Sequence, residues 1–227
     1  MILPVTEGES QGERVIRFIE TFITLGKSHL GQPFILEAWQ RDVIHDVYRS
    51  ADDGRRKHRT YLLGLPRKNG KSQLGAALAL YHLIADPADS APEVYSAAGD
   101  REQARLVFTE AKRMVEGSPD LLAACAVYRN EIRCLHNKGL YKYHIHKNTD
   151  LYDAMTMGSG ARKQPLFLTI TTAGFDMESP LGLLYSHGKR VRAGESDDEF
   201  MGITWYGPDD GAEFDPMDEA LWRLWNP

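Results

Sequence analysis

Apolar residues recur at helical spacing at Val15, Phe18, Ile19, Phe22 and Ile23, which predicts an amphipathic helix running to about residue 26, where Gly26 can stop it. Gly31, Gln32 and Pro33 break the chain. A second helix is expected after residue 40, with Val43, Ile44 and Val47 on one face. Residues 60–63 form a short apolar run that reads as a strand. A turn-rich loop follows, and then Leu74, Ala77, Leu78 and Tyr81 recur at helical spacing. Ala76, Ala79 and Leu80 make this helix apolar nearly all round, so it should be buried. Residues 93–98 read as another strand. Asp100 and Gln103 form an Asp version of a capping box ahead of a helix whose stripe is Ala104, Val107, Phe108, Ala111, Met114 and Val115. Gly117, Ser118 and Pro119 should end it. The order strand, helix, strand, helix predicts parallel strands joined by right-handed crossovers.

Residues 131–135 and 140–145 suit two short strands across an Asn137-Lys138-Gly139 turn. Residues 150–155 begin a short helix, and 158–162 form a loop of small residues carrying Arg162. Residues 165–172 are a further apolar, β-branched run, 181–191 a helix weakened by Gly182 and Gly188, and 200–206 a last strand. The acidic, Pro-containing residues 209–219 read as a linker. The basic residues Arg55, Arg56, Lys57 and Arg59 read as a solvated loop before the first strand, with a phosphate-backbone contact as the alternative.

The chemistry concentrates at residues 64–72 (GLPRKNGKS). A strand, a loop and Gly-Lys-Ser opening a helix is the layout of a phosphate-binding loop. Backbone N–H groups and the helix dipole there favour an anion. Lys71 would reach the β- and γ-phosphates and the Ser72 hydroxyl would hold Mg²⁺. The usual pattern has a glycine where Leu65 stands, and Gly64 comes one residue too early. The alternative is an ordinary basic loop, but the strand before it and the buried helix after it both favour phosphate. Gln40, beside Trp39, could read an adenine edge, because a side-chain amide both donates and accepts. It could equally be a surface Gln beside a core Trp. Thr171 and Thr172 close an apolar run at the end where open α/β sheets bind ligands, so they could sense a γ-phosphate or simply be good strand residues.

Composition narrows the field. The chain has 227 residues and a formal net charge of −5, enough for one α/β domain with appendages, and it excludes binding nucleic acid by bulk charge. Cys125 and Cys134 lack metal-ligand or redox spacing and are expected as free thiols. His144 and His146 would share a strand face, but no third metal ligand is indicated. No window has the apolar length of a membrane span, and the N-terminus lacks the apolar region of a signal peptide.

Assembled, these residues resemble the ATPase half of a tailed-phage terminase large subunit, over residues 34–227. The carriers are residues 36–40 (LEAWQ), 64–72, 148–155 (NTDLYDAM), 158–166 (GSGARKQPL) and 170–174 (ITTAG). The resemblance implies an α/β P-loop NTPase with a mainly parallel central sheet flanked by helices, plus an N-terminal helical segment. On that basis 1–57 would be the N-terminal segment, 58–207 the ATPase core and 208–227 a linker toward a nuclease domain. It implies ATP and Mg²⁺ as cofactors, Lys71 and Ser72 as phosphate and Mg²⁺ ligands, and Arg67, Lys68, Asn69 and Gly70 as shapers of the loop. Gln40 would read adenine, and Thr171 and Thr172 would couple hydrolysis to movement. Arg162 would be an arginine finger, a group worth about 10³–10⁵ in rate, with a salt-bridging Arg as the alternative. The implied partners are double-stranded DNA, the portal protein, the small terminase subunit and further copies in a ring, in the host cytoplasm and away from any membrane.

Two departures qualify this. Relatives carry four apolar residues and then Asp-Glu ahead of the 148–155 motif; the Asp supports Mg²⁺ and the Glu activates water. If the histidine-containing segments are aligned, Tyr141 and Lys142 fall at those positions, and neither replaces a carboxylate. The stretch between Glu131 and His144 is shorter than in relatives, as expected if the strand carrying the acidic pair has been deleted. The nuclease domain would begin beyond Pro227, so no DNA cleavage is expected. ATP binding is therefore expected to exceed turnover. The alternatives are a non-catalytic prophage remnant that binds nucleotide or partner subunits, and a helicase-like ATPase.

Overall fold

The computed structural model of the protein describes residues 3–26, 31–88, 90–98, 101–145, 162–172, 177–208, 212–215 and 217–227. It is mixed α/β, with mostly parallel strands flanked by helices. The described elements are α1 (Gln11–Phe22), α2 (Ala38–Val47), β1 (Thr60–Gly64), α3 (Lys71–Ile84), β2 (Glu93–Ala98), α4 (Arg101–Gly117), α5 (Pro119–Ala124), β3 (Cys125–Val127), β4 (Glu131–Cys134), β5 (Leu140–Ile145), β6 (Phe167–Thr171), α6 (Pro180–Arg192), β7 (Met201–Trp205) and α7 (Glu219–Trp225). They divide into two compact units, Met1–His45 with Ser72–Pro165 and Asp46–Lys71 with Leu166–Pro227.

The second unit holds a three-stranded parallel sheet in the order β6-β1-β7. Gly64 aligns with Thr171 on one side and Trp205 on the other. Leu62, Leu184, Tyr185 and Met201 form its core, with Ile203 and Trp205 packed against them. Each such aliphatic burial contributes about 1.5–3 kcal/mol. The glycine that weakens α6 on propensity has a packing reason: a Cβ at Gly188 would lie 3.0 Å from both Met201 and Ile203. Helix and sheet can approach closely because that side chain is missing.

The first unit holds a mixed sheet in the order β2-β5-β4-β3, with β2 parallel to β5 and the other pairs antiparallel. The expected turn between β4 and β5 is present. Lys138 takes a left-handed φ of 60°, and the Asn137 Oδ1 accepts the Gly139 N–H at 2.7 Å. The apolar character of α3 is matched by burial of Leu74, Ala76, Ala77, Leu78, Leu80, Tyr81, Leu83 and Ile84.

Several expectations are corrected. The strand, helix, strand, helix order predicted parallel strands joined by crossovers, but β1 pairs with β6 and β7 while β2 pairs with β5, in a separate sheet. Both edges of β1 are taken by strands far along the chain, so sequence adjacency is overridden. The first helix ends at Phe22, not near Gly26. Ile23 is extended and its carbonyl accepts the Phe34 N–H at 2.9 Å. Gly117, Ser118 and Pro119 end α4 and also start α5, because Ser118 is its N-cap and Pro119 its first residue. The acidic linker gives way to α7, capped by Asp218, whose side chain accepts the Ala220 N–H. The basic loop is not wholly solvated: Arg56 is buried, its guanidinium 5.4 Å from the Tyr48 ring centroid.

Candidate functional site

The strand β1 is buried from Tyr61 to Gly64, and the chain leaves it at Leu65 with its N–H bonded to the Thr171 carbonyl at 2.9 Å. On the other side the Tyr206 N–H bonds the Gly64 carbonyl at 2.9 Å. These two bonds fix the start of the loop between the carboxyl ends of β6 and β7. A Cβ on Gly64 would lie 2.0 Å from the Trp205 ring. Gly64 is thus required by packing at the strand end, which accounts for a glycine one residue ahead of the usual position.

Lys68 (φ 74°) and Gly70 (φ 66°) are both left-handed, so the loop doubles back before α3 begins at Lys71. Lys71 Nζ donates to the carbonyls of Pro66 and of Leu65, the latter at 3.1 Å. Burial holds the Lys71 ammonium below its ordinary pKa, and the positive charge of Arg67 adds to the effect. Among the described residues no carboxylate pairs with Lys71. A partly buried cation facing neutral carbonyls, beside a second cation, is a site that an anion would stabilise. The Asn69 Nδ2 donates to the Asn226 Oδ1 at 3.3 Å. No periodicity or spacing in the sequence signals that contact, which follows α7.

Thr171 meets the loop at Leu65 through its carbonyl. The Thr171 hydroxyl donates to the Thr172 carbonyl at 2.9 Å. Gln40 belongs to the first unit and is 5 % exposed, so it is not the surface Gln of the alternative reading. Its Oε1 accepts the Glu37 N–H at 3.0 Å, closing the first turn of α2. Arg162 also belongs to the first unit. Its guanidinium donates to the Ala91 carbonyl at 3.0 Å and lies 3.1 Å from Glu93. Residues 148–155, 158–161 and 173–174 lie outside the described residues.

Tyr141 and Lys142, expected at the positions of an acidic pair, both have structural partners. Tyr141 on β5 is fully buried with its ring 5.2 Å from that of Phe108, and Lys142 lies 3.6 Å from Glu131. Among the described residues no group of three or more His, Cys, Asp and Glu is placed to hold a metal ion.

Against this geometry the comparisons are specific. Residues 38–143 match the family model described as terminase large subunit, ATPase domain. The chain is 31% identical to the terminase large subunit of Enterobacteria phage HK97 over 189 residues, 72% of this chain and 37% of that protein. It is 39% identical to protein YmfN of Escherichia coli K12 over 81 residues, 34% of this chain and 17% of that one. Its fold matches the crystal structure of the HK97 bacteriophage large terminase with a TM-score of 0.81 and 28% identity. That match covers 96% of this chain and 48% of the crystallised one, so the chain spans less than half of these relatives.

Proposed function

This chain carries the ATPase domain of the phage terminase large-subunit family, and from that premise we propose that residues 65–72 bind the phosphates of ATP. The observation that carries the proposal is the Lys71 ammonium, partly buried at the start of a helix, charged against the field of Arg67 and met only by carbonyls among the described residues. Lys71 holds the β- and γ-phosphates, the loop N–H groups cradle them, and Arg67, Lys68, Asn69 and Gly70 shape the loop. Bound Mg²⁺ would neutralise phosphate charge, with the Ser72 hydroxyl as its ligand from this chain. Gln40 reads adenine through its amide nitrogen, and Thr171 and Thr172 relay the state of the γ-phosphate through the Leu65 backbone. Arg162 reaches the γ-phosphate of a neighbouring copy after leaving Glu93.

In the working assembly this domain would drive double-stranded DNA into a capsid, in a ring of copies acting with the portal protein and the small terminase subunit in the host cytoplasm. A second reading, nucleotide binding without turnover, is favoured by Tyr141 and Lys142 at the acidic positions. Without a carboxylate at those two positions, in-line attack lacks the base expected there.

Titration with a fluorescent ATP analogue, beside a phosphate-release assay on the same sample, tests both readings. Saturable, Mg²⁺-dependent binding is expected, weakened roughly tenfold to hundredfold by Lys71→Ala, with phosphate release close to background. Absence of binding overturns the phosphate loop. Turnover at the rate of a working motor, lost in Lys71→Ala, overturns the non-catalytic reading.

A further inference from the structure

Outside the phosphate site, the first unit places two thiols and an imidazole together. Cys125 is the first residue of β3 and Cys134 the last of β4, and the antiparallel register sets them opposite each other. The Leu135 N–H bonds the Ala124 carbonyl at 2.9 Å and the Tyr128 N–H bonds the Glu131 carbonyl at 2.8 Å. Alternation along the ladder then makes Cys125 and Cys134 a non-hydrogen-bonded pair. The Cys134 N–H agrees, being turned toward β5, where it bonds the Gly139 carbonyl at 2.9 Å. Such pairs hold their Cα atoms about 4.5 Å apart, inside the window of about 4.4–6.8 Å that a disulfide spans. Both thiols are free and buried.

His136 completes the cluster. Its Nδ1 lies 3.2 Å from the Cys134 Sγ, and its Nε2 lies 3.2 Å from the Ile84 carbonyl. A carbonyl only accepts, so Nε2 carries the proton. Nδ1 of the neutral ring is then an acceptor facing the thiol. The two sulfurs are differentiated: a hydrogen bond from the Cys125 thiol lowers the pKa of Cys134, and the same bond together with burial raises that of Cys125.

We propose that Cys134, His136 and Cys125 form a peroxide-reactive site in which Cys134 is the attacking sulfur and Cys125 the resolving one. Cys134 passes its proton to His136 Nδ1, and the thiolate attacks one oxygen of hydrogen peroxide. The O–O bond breaks, Cys134 becomes a sulfenic acid, and the departing hydroxide takes the proton from His136 to leave as water. The Cys125 sulfur then attacks the Cys134 sulfur, an S–S bond forms, and the sulfenic oxygen leaves as a second water with the Cys125 proton. Two thiols are oxidised and one peroxide is reduced to two waters. The product ties β3, at the edge of its sheet, covalently to β4.

The test uses the whole reduced chain. Folded protein is treated with hydrogen peroxide, quenched with iodoacetamide and digested without reductant for mass spectrometry. The expected result is a loss of 2 Da ~ two hydrogens, a peptide pair joined through Cys125 and Cys134, and no covalent dimer. Oxidation should run at least about tenfold faster in the folded protein than in urea, a comparison that needs no variant. In Cys125→Ser, a dimedone adduct should appear on Cys134 with no linked peptide. In His136→Ala the same linked peptide should form several-fold more slowly. Equal rates folded and unfolded, or intermolecular dimers as the main product, would overturn the site.

Discussion

The end of β1 and the strand β5 are built in opposite ways. Beyond β1 the chain makes a left-handed double turn and presents Lys71 against carbonyls. Along β5, Tyr141 is a core tyrosine against Phe108 and Lys142 is paired with Glu131. The first end leaves a cation whose field an anion would complete. The second already holds a ring packed against Phe108 and a lysine in an ion pair. A phosphate grip and a hydrolytic centre are separable, because the grip needs only one loop and a helix start, whereas the chemistry needs carboxylates from another strand.

The largest effect expected in testing this contrast is Gly64→Val. With a Cβ already 2.0 Å from Trp205, the added methyls should destabilise the second unit by about 3 kcal/mol or more, read as a fall in the urea midpoint. Lys71→Ala comes next, removing a charged donor at about 1.5–3 kcal/mol of nucleotide affinity, roughly a tenfold to hundredfold rise in Kd by fluorescence titration. Its circular dichroism should stay unchanged. If affinity is also unchanged, the contrast between the two strand ends falls.

Tyr61→Phe is a smaller change near the same strand. Its hydroxyl bonds Asp46 at 2.5 Å and Thr204 at 2.6 Å, so the loss should cost about 1–3 kcal/mol in urea unfolding and leave nucleotide binding intact. A pH effect follows from Lys71. Its folded pKa lies below the ordinary 10.5, so between the two values the unfolded chain binds more protons and stability rises with pH. Wild type should therefore gain on Lys71→Met as pH climbs toward 10.5, and bound ATP should reverse the sign by raising the Lys71 pKa. Arg162→Ala should be the mildest, under about 1 kcal/mol in stability, since its pair with Glu93 is partly exposed. Where turnover is seen, its loss on this substitution in a ring of mixed subunits shows that Arg162 acts on a neighbour.

Local patterns survive the comparison well. The helical stripes behind α1, α3 and α4, the turn at Asn137 to Gly139 and the strand at 167–171 follow from periodicity and turn chemistry. They are legible because each is settled within a few residues. The loop at 64–72 was legible for the same reason, down to the positions of Lys71 and Gly70. The caps that start α5 and α7 were readable in principle, at Ser118-Pro119 and Asp218, but were masked by composition that also suits loops.

What the sequence by itself determined is most of the elements and the strand, loop and helix layout around residues 64–72, both carried by neighbouring residues. Only the tertiary structure decided strand order, and with it three facts that depend on distant pairing. Gly64 is fixed by Trp205, Thr171 reaches the loop through the Leu65 N–H, and Cys125 faces Cys134 across a ladder. The separation of the two cysteines along the chain looked like no motif, because antiparallel pairing matches residues by register, which spacing alone does not encode.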